Sequence, residues 1–316
     1  MDSRVRAARL HRQGEPLQVE QVSLPSPAEG EVVVDLSFGG VNPVDRYVAA
    51  GRVAPDGPLP RTLGSEAAGH RDGRPVLVCG HGLGRSRDGV WAERAVVPEA
   101  SVVDVPDGVD LAQAAAMGVV GVTAWRTTVD LAQVGPDDRV LVLGASGGVG
   151  GVILSLARSL GATVWGQTGS PAKAGWVADH GAHEVVVADA GQLLDQVRAL
   201  SPTVVLDPLG GGFTGAGLEA LEPFGRLVSF GTSAGAEASL NMQTLYRKSI
   251  TVFGFGGLIE PPDRLRAGLV ASLGALADGR LRVPVQDVVP LQEVEDAFRR
   301  LEARTVTGKL VLDLRS

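Results

Sequence analysis

A single cysteine, Cys79, stands in the whole chain, which rules out an intrachain disulfide and any zinc cluster built on several thiolates. Aromatic residues make up only 4%, so a core has to be assembled from Val, Leu and Ala. No apolar run approaches the roughly 20 residues that a bilayer-spanning helix needs; the longest window, 114–125, is short and punctuated by glycine. The opening segment MDSRVRAARLHRQGE lacks the apolar stretch of a secretory signal, and the expectation is a cytoplasmic protein. Basic residues are not in excess either. A net charge of −7 argues against a general nucleic-acid-binding role.

What is present is a chain of 316 residues with 44% hydrophobic and 21% charged residues, values of a compact globular protein rather than a disordered one. The 43 glycines imply many tight turns. Roughly the first third reads as short strands separated by Pro and Gly, at 31–38, 75–79 and 93–97, with Gly39-Gly40 read as a break after the first of these. From Leu111 the character changes to an Ala-rich helix running on to Val134, where Gly135-Pro136 stops it. Beyond that point strand and helix patterns alternate, with strands expected at 139–143, from 163, and at 184–187, 203–206, 226–230 and 249–253. Such alternation predicts a parallel, doubly wound sheet. A charged helix at 291–303 precedes a last strand at 307–313, which is expected to return to the first domain.

The strongest local signal is GASGGVGG at 144–151, set between an apolar strand and a helix whose one face carries Val149, Val152, Ile153, Leu156 and Leu160. A dinucleotide pyrophosphate has to approach backbone N–H groups at a helix N-terminus, where side chains would hold it off. In this strand–turn–helix context Ser146, Gly147, Gly148, Val149 and Gly150 are the candidate pyrophosphate contacts. NAD sites usually place a carboxylate about 20 residues further on to hold the ribose hydroxyl. Here residues 139–178 contain no Asp or Glu, and Ser170 and Lys173 offer a hydroxyl and an ammonium to a 2′-phosphate instead. NADPH is the expected cofactor.

Taken together, GVNPVDRY at 40–47, LGSEAAG at 63–69, GVTA at 121–124, the glycine turn, SFGTSAG at 229–235 and TGK at 307–309 resemble the medium-chain dehydrogenase/reductase superfamily. The likeness is to its zinc-independent quinone oxidoreductase branch, the zeta-crystallin-like one. It implies an α/β fold: a Rossmann-type doubly wound parallel sheet plus a smaller GroES-like β-barrel substrate domain. The expected domains are 1–115 for substrate, 116–284 for dinucleotide, and 285–316 returning to the first. The resemblance further implies that Asn42, Asp45 and Tyr47 lie on the substrate side of the nicotinamide and are the catalytic candidates. Thr123 is expected at the nicotinamide end, Phe230, Gly231 and Thr232 beside the ribose and pyrophosphate, Phe253, Gly254 and Phe255 at the carboxamide, and Lys309 closing the cleft. Two departures accompany the match: the hairpin between Gly69 and Gly80 is short, and Ala188 stands where some relatives carry a phosphate-binding Tyr.

Zinc-dependent relatives place a Cys near Asn42 and a His in the motif that here reads Leu63-Gly64-Ser65-Glu66, so no metal is expected. The pair His180 and His183 borders Gly181 and reads as a helix end rather than a ligand set, and no Ser-His-Asp constellation can be proposed from spacing. The sequence therefore points to hydride transfer from NADPH to a quinone or an α,β-unsaturated carbonyl, in a homodimer. An enoyl-thioester reductase and a non-catalytic NADPH-binding protein are the alternatives. Tyr47 is either a proton donor or an apolar wall; the wall is favoured, because an ordinary phenol with a pKa near 10 is a weak acid at neutral pH.

Overall fold

The computed structural model describes residues 4–316. The chain forms two compact units. One comprises the chain up to Val120 together with Glu260–Ala277 and Val283–Ser316, and the other Gly121–Ile259 with Asp278–Arg282. Helix Pro262–Ala277 thus groups with the first unit and not with the dinucleotide domain expected over 116–284.

The second unit is built on six strands, in the order Glu184–Val187, Thr163–Thr168, Arg139–Val142, Val204–Asp207, Arg226–Ser229 and Thr251–Gly254. All neighbours pair in parallel. This is the doubly wound Rossmann-type sheet, and its strand order reverses between Arg139–Val142 and Val204–Asp207. The central strands carry Val140, Leu141, Val142 and Val204, Val205, Leu206, all fully buried, as a sheet covered on both faces requires.

The first unit holds a β fold of the GroES-like kind. Strands Val285–Pro290, Lys309–Asp313, Glu31–Val41, Glu66–Arg71, Arg74–Cys79 and Val102–Asp104 follow one another in its larger sheet, with Arg94–Pro98 also paired to Glu31–Val41. The C-terminal strand runs antiparallel to Glu31–Val41, placing Leu310 opposite Val41. A smaller sheet joins Gln18–Ser23, Arg4–Leu10 and Arg61–Thr62. The hairpin after Gly69 is indeed short: Arg71 faces Arg74 across Asp72 and Gly73, both at positive φ, the geometry of a two-residue primed turn.

Two expectations about local structure are corrected. The strand at 31–38 does not break at Gly39-Gly40 but continues to Val41. Those glycines serve close packing rather than a turn: a Cβ on Gly39 would lie 2.7 Å from the Trp91 ring, and one on Gly40 would overlap the Glu66 carboxylate and the Ala115 carbonyl. The helix expected from Leu111 to Val134 is likewise divided, into Leu111–Ala115 and Gly118–Trp125 followed by a wider turn through Arg126–Leu131. Just past the interruption the Val119 N–H donates to Glu66 Oε2 at 2.6 Å.

Replacing Gly40 by Ala should cost at least about 3 kcal/mol, because backbone and a buried carboxylate lie on both sides and neither can move away. Gly135→Ala, where a Cβ meets nothing within 4 Å, should stay within about 0.5 kcal/mol. Thermal denaturation of both variants checks the contrast, and equal melting temperatures would reject it.

Candidate functional site

In the second unit the chain leaves strand Arg139–Val142, turns through Gly144 at positive φ, and enters helix Gly148–Ser159. The N-cap is Gly147 and no side chain caps it, so the first-turn N–H groups are left open to a ligand. The turn is tight enough to demand its glycines: a Cβ on Gly150 would stand 2.5 Å from the Gly144 carbonyl oxygen and 2.7 Å from Ala145 Cα. Its shape is held from the neighbouring strand. The Gly144 N–H donates to Gln167 Oε1 at 2.9 Å, and Gln167 Nε2 donates to the Ala188 carbonyl at 2.6 Å. Ala188 therefore contributes its backbone, in support of the turn. Ser146 Oγ lies 3.4 Å from Thr168 Oγ1. An uncapped helix N-terminus of twelve residues behind a glycine cradle fits a dinucleotide pyrophosphate.

Further along the same sheet, Ser170 precedes the short turn Pro171–Lys173 without capping it through its side chain. Lys173 is half-buried, and burial lowers the pKa of its ammonium. Phe230 and Gly231 follow strand Arg226–Ser229: the Phe230 N–H donates to the Asp207 carbonyl at 2.9 Å, and a Cβ on Gly231 would come 2.5 Å from the Pro208 oxygen. Thr232 is exposed in the loop beyond. Phe253 and Gly254 end the last strand, and Phe255 follows it, bonded through its N–H to the Ser229 carbonyl at 2.9 Å. Thr123 lies half-buried on helix Gly118–Trp125, its carbonyl accepting from Thr127 Oγ1 at 2.7 Å. One residue that sequence reasoning passed over is Asp207, fully buried at the end of its strand. It accepts from the N–H groups of Leu209 and Gly210 and from Thr214 Oγ1 at 2.6–3.0 Å, and so shapes the loop at the point where strand order reverses. An Asp followed by Pro-Leu-Gly-Gly was the available signal.

In the first unit Asn42, Asp45, Glu66 and Lys309, all buried, form one polar cluster with half-buried Ser65. Asn42 is the N-cap of helix Pro43–Ala49. Its N–H donates to Asp45 Oδ2 at 2.9 Å, while Asp45 Oδ1 accepts from Ser65 Oγ at 2.8 Å and the Ser65 N–H at 3.1 Å. Glu66, 0% exposed, accepts from Asn42 Nδ2 at 2.6 Å and from Lys309 Nζ at 2.8 Å through the same oxygen, Oε1. Lys309 also donates to Asn42 Oδ1 at 2.6 Å and to the Val41 carbonyl at 2.9 Å. Its three ammonium hydrogens are thereby committed inside this unit. Expected among the cofactor contacts, Lys309 is found orienting Asn42 and neutralising Glu66. Neither Ser65 nor Glu66 was among the residues expected from sequence, although both stand in the 63–69 segment.

Burial pushes the Asp45 carboxyl up from 3.8 to about 6, with nearby Glu66 adding to it, against the hydrogen bonds from Ser65 and the Asn42 N–H. Burial also raises the Cys79 thiol far above its usual range, reinforced by Glu66 and Asp45, so this cysteine stays protonated. Tyr47 is half-buried, with the Arg46 guanidinium 5.7 Å from its ring centroid; Arg46 itself pairs with Glu302 at 2.6 Å. That cation lies over the ring rather than being set aside for the hydroxyl.

These donors do not suit zinc. The oxygens of Asn42 and Glu66 already share an ammonium at 2.6–2.8 Å, whereas zinc selects thiolate, imidazole and carboxylate in a tetrahedral set. Among the described residues no group of three or more His, Cys, Asp or Glu is placed to hold a metal. His180 instead stacks on Trp176 at 3.8 Å, and His183 Nδ1 accepts from the Val164 N–H.

A doubly wound sheet with an open glycine turn, joined in one chain to a GroES-like β unit, defines a dinucleotide-dependent oxidoreductase. Comparison with known proteins agrees. The family described as zinc-binding dehydrogenase matches residues 148–274. The quinone oxidoreductase of Salmonella typhimurium is 30% identical over 96% of this chain and 98% of its own length. Mycobacterial Rv1454c, solved complexed with NADPH, superposes with a TM-score of 0.85 at 26% identity over 98% of this chain and 99% of that one. A cobalt- and zinc-bound thermostable alcohol dehydrogenase from Pyrobaculum aerophilum gives 0.85 at 30% identity, also over 98% and 99%. The chain belongs to the medium-chain dehydrogenase/reductase superfamily, in its quinone oxidoreductase branch.

The raised Asp45 pKa carries a consequence for stability. Folded protein holds this proton up to about pH 6, whereas the unfolded chain releases it near 3.8. The stabilisation is complete below the lower value and is lost as pH rises through the upper one, by about 3 kcal/mol. Asp45→Asn removes that titration, so its melting temperature should vary less than wild type between about pH 4 and 7. Parallel profiles for the two proteins would reject the assignment.

Proposed function

We propose that this protein transfers a hydride from NADPH to a quinone or an α,β-unsaturated carbonyl compound, without zinc. The reading rests chiefly on the uncapped N-terminus of helix Gly148–Ser159 behind its glycine turn. Ser146, Gly147, Gly148, Val149 and Gly150 would line the pyrophosphate, with Phe230, Gly231, Thr232 and Phe253 to Phe255 along the remainder of the dinucleotide and Thr123 at its nicotinamide end. Ser170 and Lys173 would take the 2′-phosphate, in keeping with the absence of any carboxylate over 139–178. The bound nicotinamide would supply the hydride.

The chain's own part is to position the acceptor and stabilise the oxyanion that develops on it. Quinones and enones spread the incoming charge onto a carbonyl oxygen, so hydrogen bonds suffice where an isolated carbonyl would call for a Lewis acid. Asn42 is oriented to donate such a bond. Lys309 fixes its Oδ1, Glu66 takes one Nδ2 hydrogen, and one amide hydrogen is left for the acceptor. Tyr47 serves as an apolar wall, and water supplies the final proton to a reduced quinone. The protein would act in the cytoplasm. No helix among the described residues is long and apolar enough to cross a membrane.

Stopped-flow oxidation of NADPH against a panel of quinones, simple enones and enoyl thioesters tests the reading, with metal content measured on the same sample. Quinones or simple enones should be the faster acceptors, and no stoichiometric zinc should be found. Tight NADPH binding with no acceptor reduced would favour a non-catalytic role, and preference for enoyl thioesters a biosynthetic reductase. Lys173→Ala should raise the KM for NADPH about tenfold or more while that for NADH changes little, the worth of one charge-assisted hydrogen bond. Equal losses with both cofactors would remove Lys173 from the phosphate site.

A homodimer is also proposed. Among the described residues strand Thr251–Gly254 pairs on one side only, with Arg226–Ser229, and leaves Val252 exposed; Met242, Tyr246 and Phe224 are exposed as well. An apolar open edge of this kind is a site for pairing with a second copy. Multi-angle light scattering should give twice the chain mass, and a stable monomer at micromolar concentration would reject the proposal.

A further inference from the structure

Strand Arg74–Cys79 is followed by the loop Gly80-His-Gly-Leu-Gly-Arg85-Ser-Arg-Asp-Gly89. This loop is pressed against the segment that carries Ser65 and Glu66. The Gly89 N–H donates to the Thr62 carbonyl at 2.8 Å and the Val90 N–H to the Gly64 carbonyl at 3.1 Å. Gly84, at positive φ, lies so near that a Cβ would stand 2.9 Å from the Gly64 oxygen. On this loop Arg85 is half-buried, and its guanidinium makes no hydrogen bond among the described residues. Its charge acts on Asp45 and Cys79, at the edge of the Asn42 cluster. No hydrogen bond joins it to Asp45, whose carboxylate accepts from Ser65 and the Asn42 N–H.

A second guanidinium lies beneath the same loop. Arg61 is 1% exposed. Its Nη1 donates to the Arg85 carbonyl at 2.5 Å, while its Nε and Nη2 have no partner among the described residues. The acidic group acting on it is Asp88, whose Oδ1 is already held by Arg9 and the Thr62 N–H at 2.7 Å. Two guanidinium groups, one on this loop and one bonded to its backbone, are therefore without a bonded carboxylate. A buried cation with unsatisfied donors is costly until an anion or other acceptor meets it, and a guanidinium is the side chain best shaped for a carboxylate.

We propose that Arg85, its backbone carbonyl held by Arg61, binds a carboxylate carried by the acceptor, so that the preferred substrates are acidic enones or quinones. The inference rests on the acceptor-reducing function proposed above and specifies its substrate class.

Calorimetry on the full-length protein with β-benzoylpropionate and its methyl ester reads the anion preference without turnover. Reduction of the unsaturated pair, β-benzoylacrylate and its methyl ester, is followed separately. The acid should bind wild type about tenfold or more tightly than the ester. Arg85→Gln should bring that ratio close to one, and Arg85→Lys, which keeps the charge but loses the planar fork, should give an intermediate ratio. Equal affinities in wild type, no measurable binding of the acid, or a ratio that survives in Arg85→Gln with an unchanged melting temperature would overturn the proposal. Should Arg85→Gln fail to fold, the ratio in Arg85→Lys decides: a value equal to wild type counts against the site. If the acid binds preferentially yet neither unsaturated compound is reduced, the reductase reading fails while the carboxylate site stands. If both are reduced equally and bound equally, the reverse holds.

Discussion

One buried carboxylate, that of Glu66, ties together the parts of the first unit that carry its chemistry. Through Oε1 it engages Asn42 at the end of strand Glu31–Val41 and Lys309 on the C-terminal strand; through Oε2 it meets the Val119 N–H at the start of helix Gly118–Trp125. Burying an ion costs several kcal/mol unless it is paired and its remaining acceptor sites are filled. Here the ion pair, an amide and a backbone N–H do this together. The arrangement also dictates the residues around it, since Gly40 and Gly118 have no room for a Cβ beside the same carboxylate. Removing either charge alone leaves the other buried and uncompensated, a more damaging change than losing the pair.

The second unit has an analogous dependence on backbone geometry, with polar side chains in place of an ion pair. Gln167 spans from the Gly144 N–H to the Ala188 carbonyl and so links the ends of three adjacent strands. Asp207 fastens the loop after the fourth strand in sequence. Both are buried polar residues with their bonds satisfied, and they hold the strand ends in register at the place where open α/β sheets receive nucleotides. The glycine turn is consequently preorganised: its shape does not wait for a ligand.

Much of this was legible in the sequence, for identifiable reasons. Alternating strand and helix patterns gave the doubly wound sheet because periodicity reflects burial directly. The glycine turn was readable because a pyrophosphate and a close helix–strand crossing make the same demand on the chain. Glycine inside a strand misled where packing outweighed propensity: Gly39 and Gly40 extend a strand because Trp91 and Glu66 occupy the space their side chains would need. The division of the long Ala-rich helix falls at Gly118, and the polar partner met there, Glu66, lies 53 positions away from Val119. Lys309 was readable as a member of the site and not as a buried one. Its partners Val41, Asn42 and Glu66 are separated from it by more than 240 positions. Arg61 and Arg85 are invisible for the same reason, as nothing nearby in sequence shows that their carboxylate partners are missing.

The charge balance of the Asn42 cluster bears on the kind of acceptor it can serve. Lys309 and Glu66 offset one another, and Asp45, with its carboxyl raised to about 6, adds at most one negative charge near neutral pH. Such a cluster offers a developing oxyanion oriented hydrogen bonds but little net positive charge. A dication stabilises an alkoxide localised on one oxygen; a fixed amide suits charge already delocalised through a conjugated system. As the proposed acceptor site, the cluster would suit acceptors whose own electrons spread the charge. On the proposed reading Arg85 supplies positive charge from the adjoining loop, where a substituent of the acceptor rather than its reacting oxygen would find it. On that reading reactivity and selectivity fall to separate groups: Asn42 to the carbonyl being reduced, and Arg85, its backbone held by Arg61, to what that carbonyl is attached to.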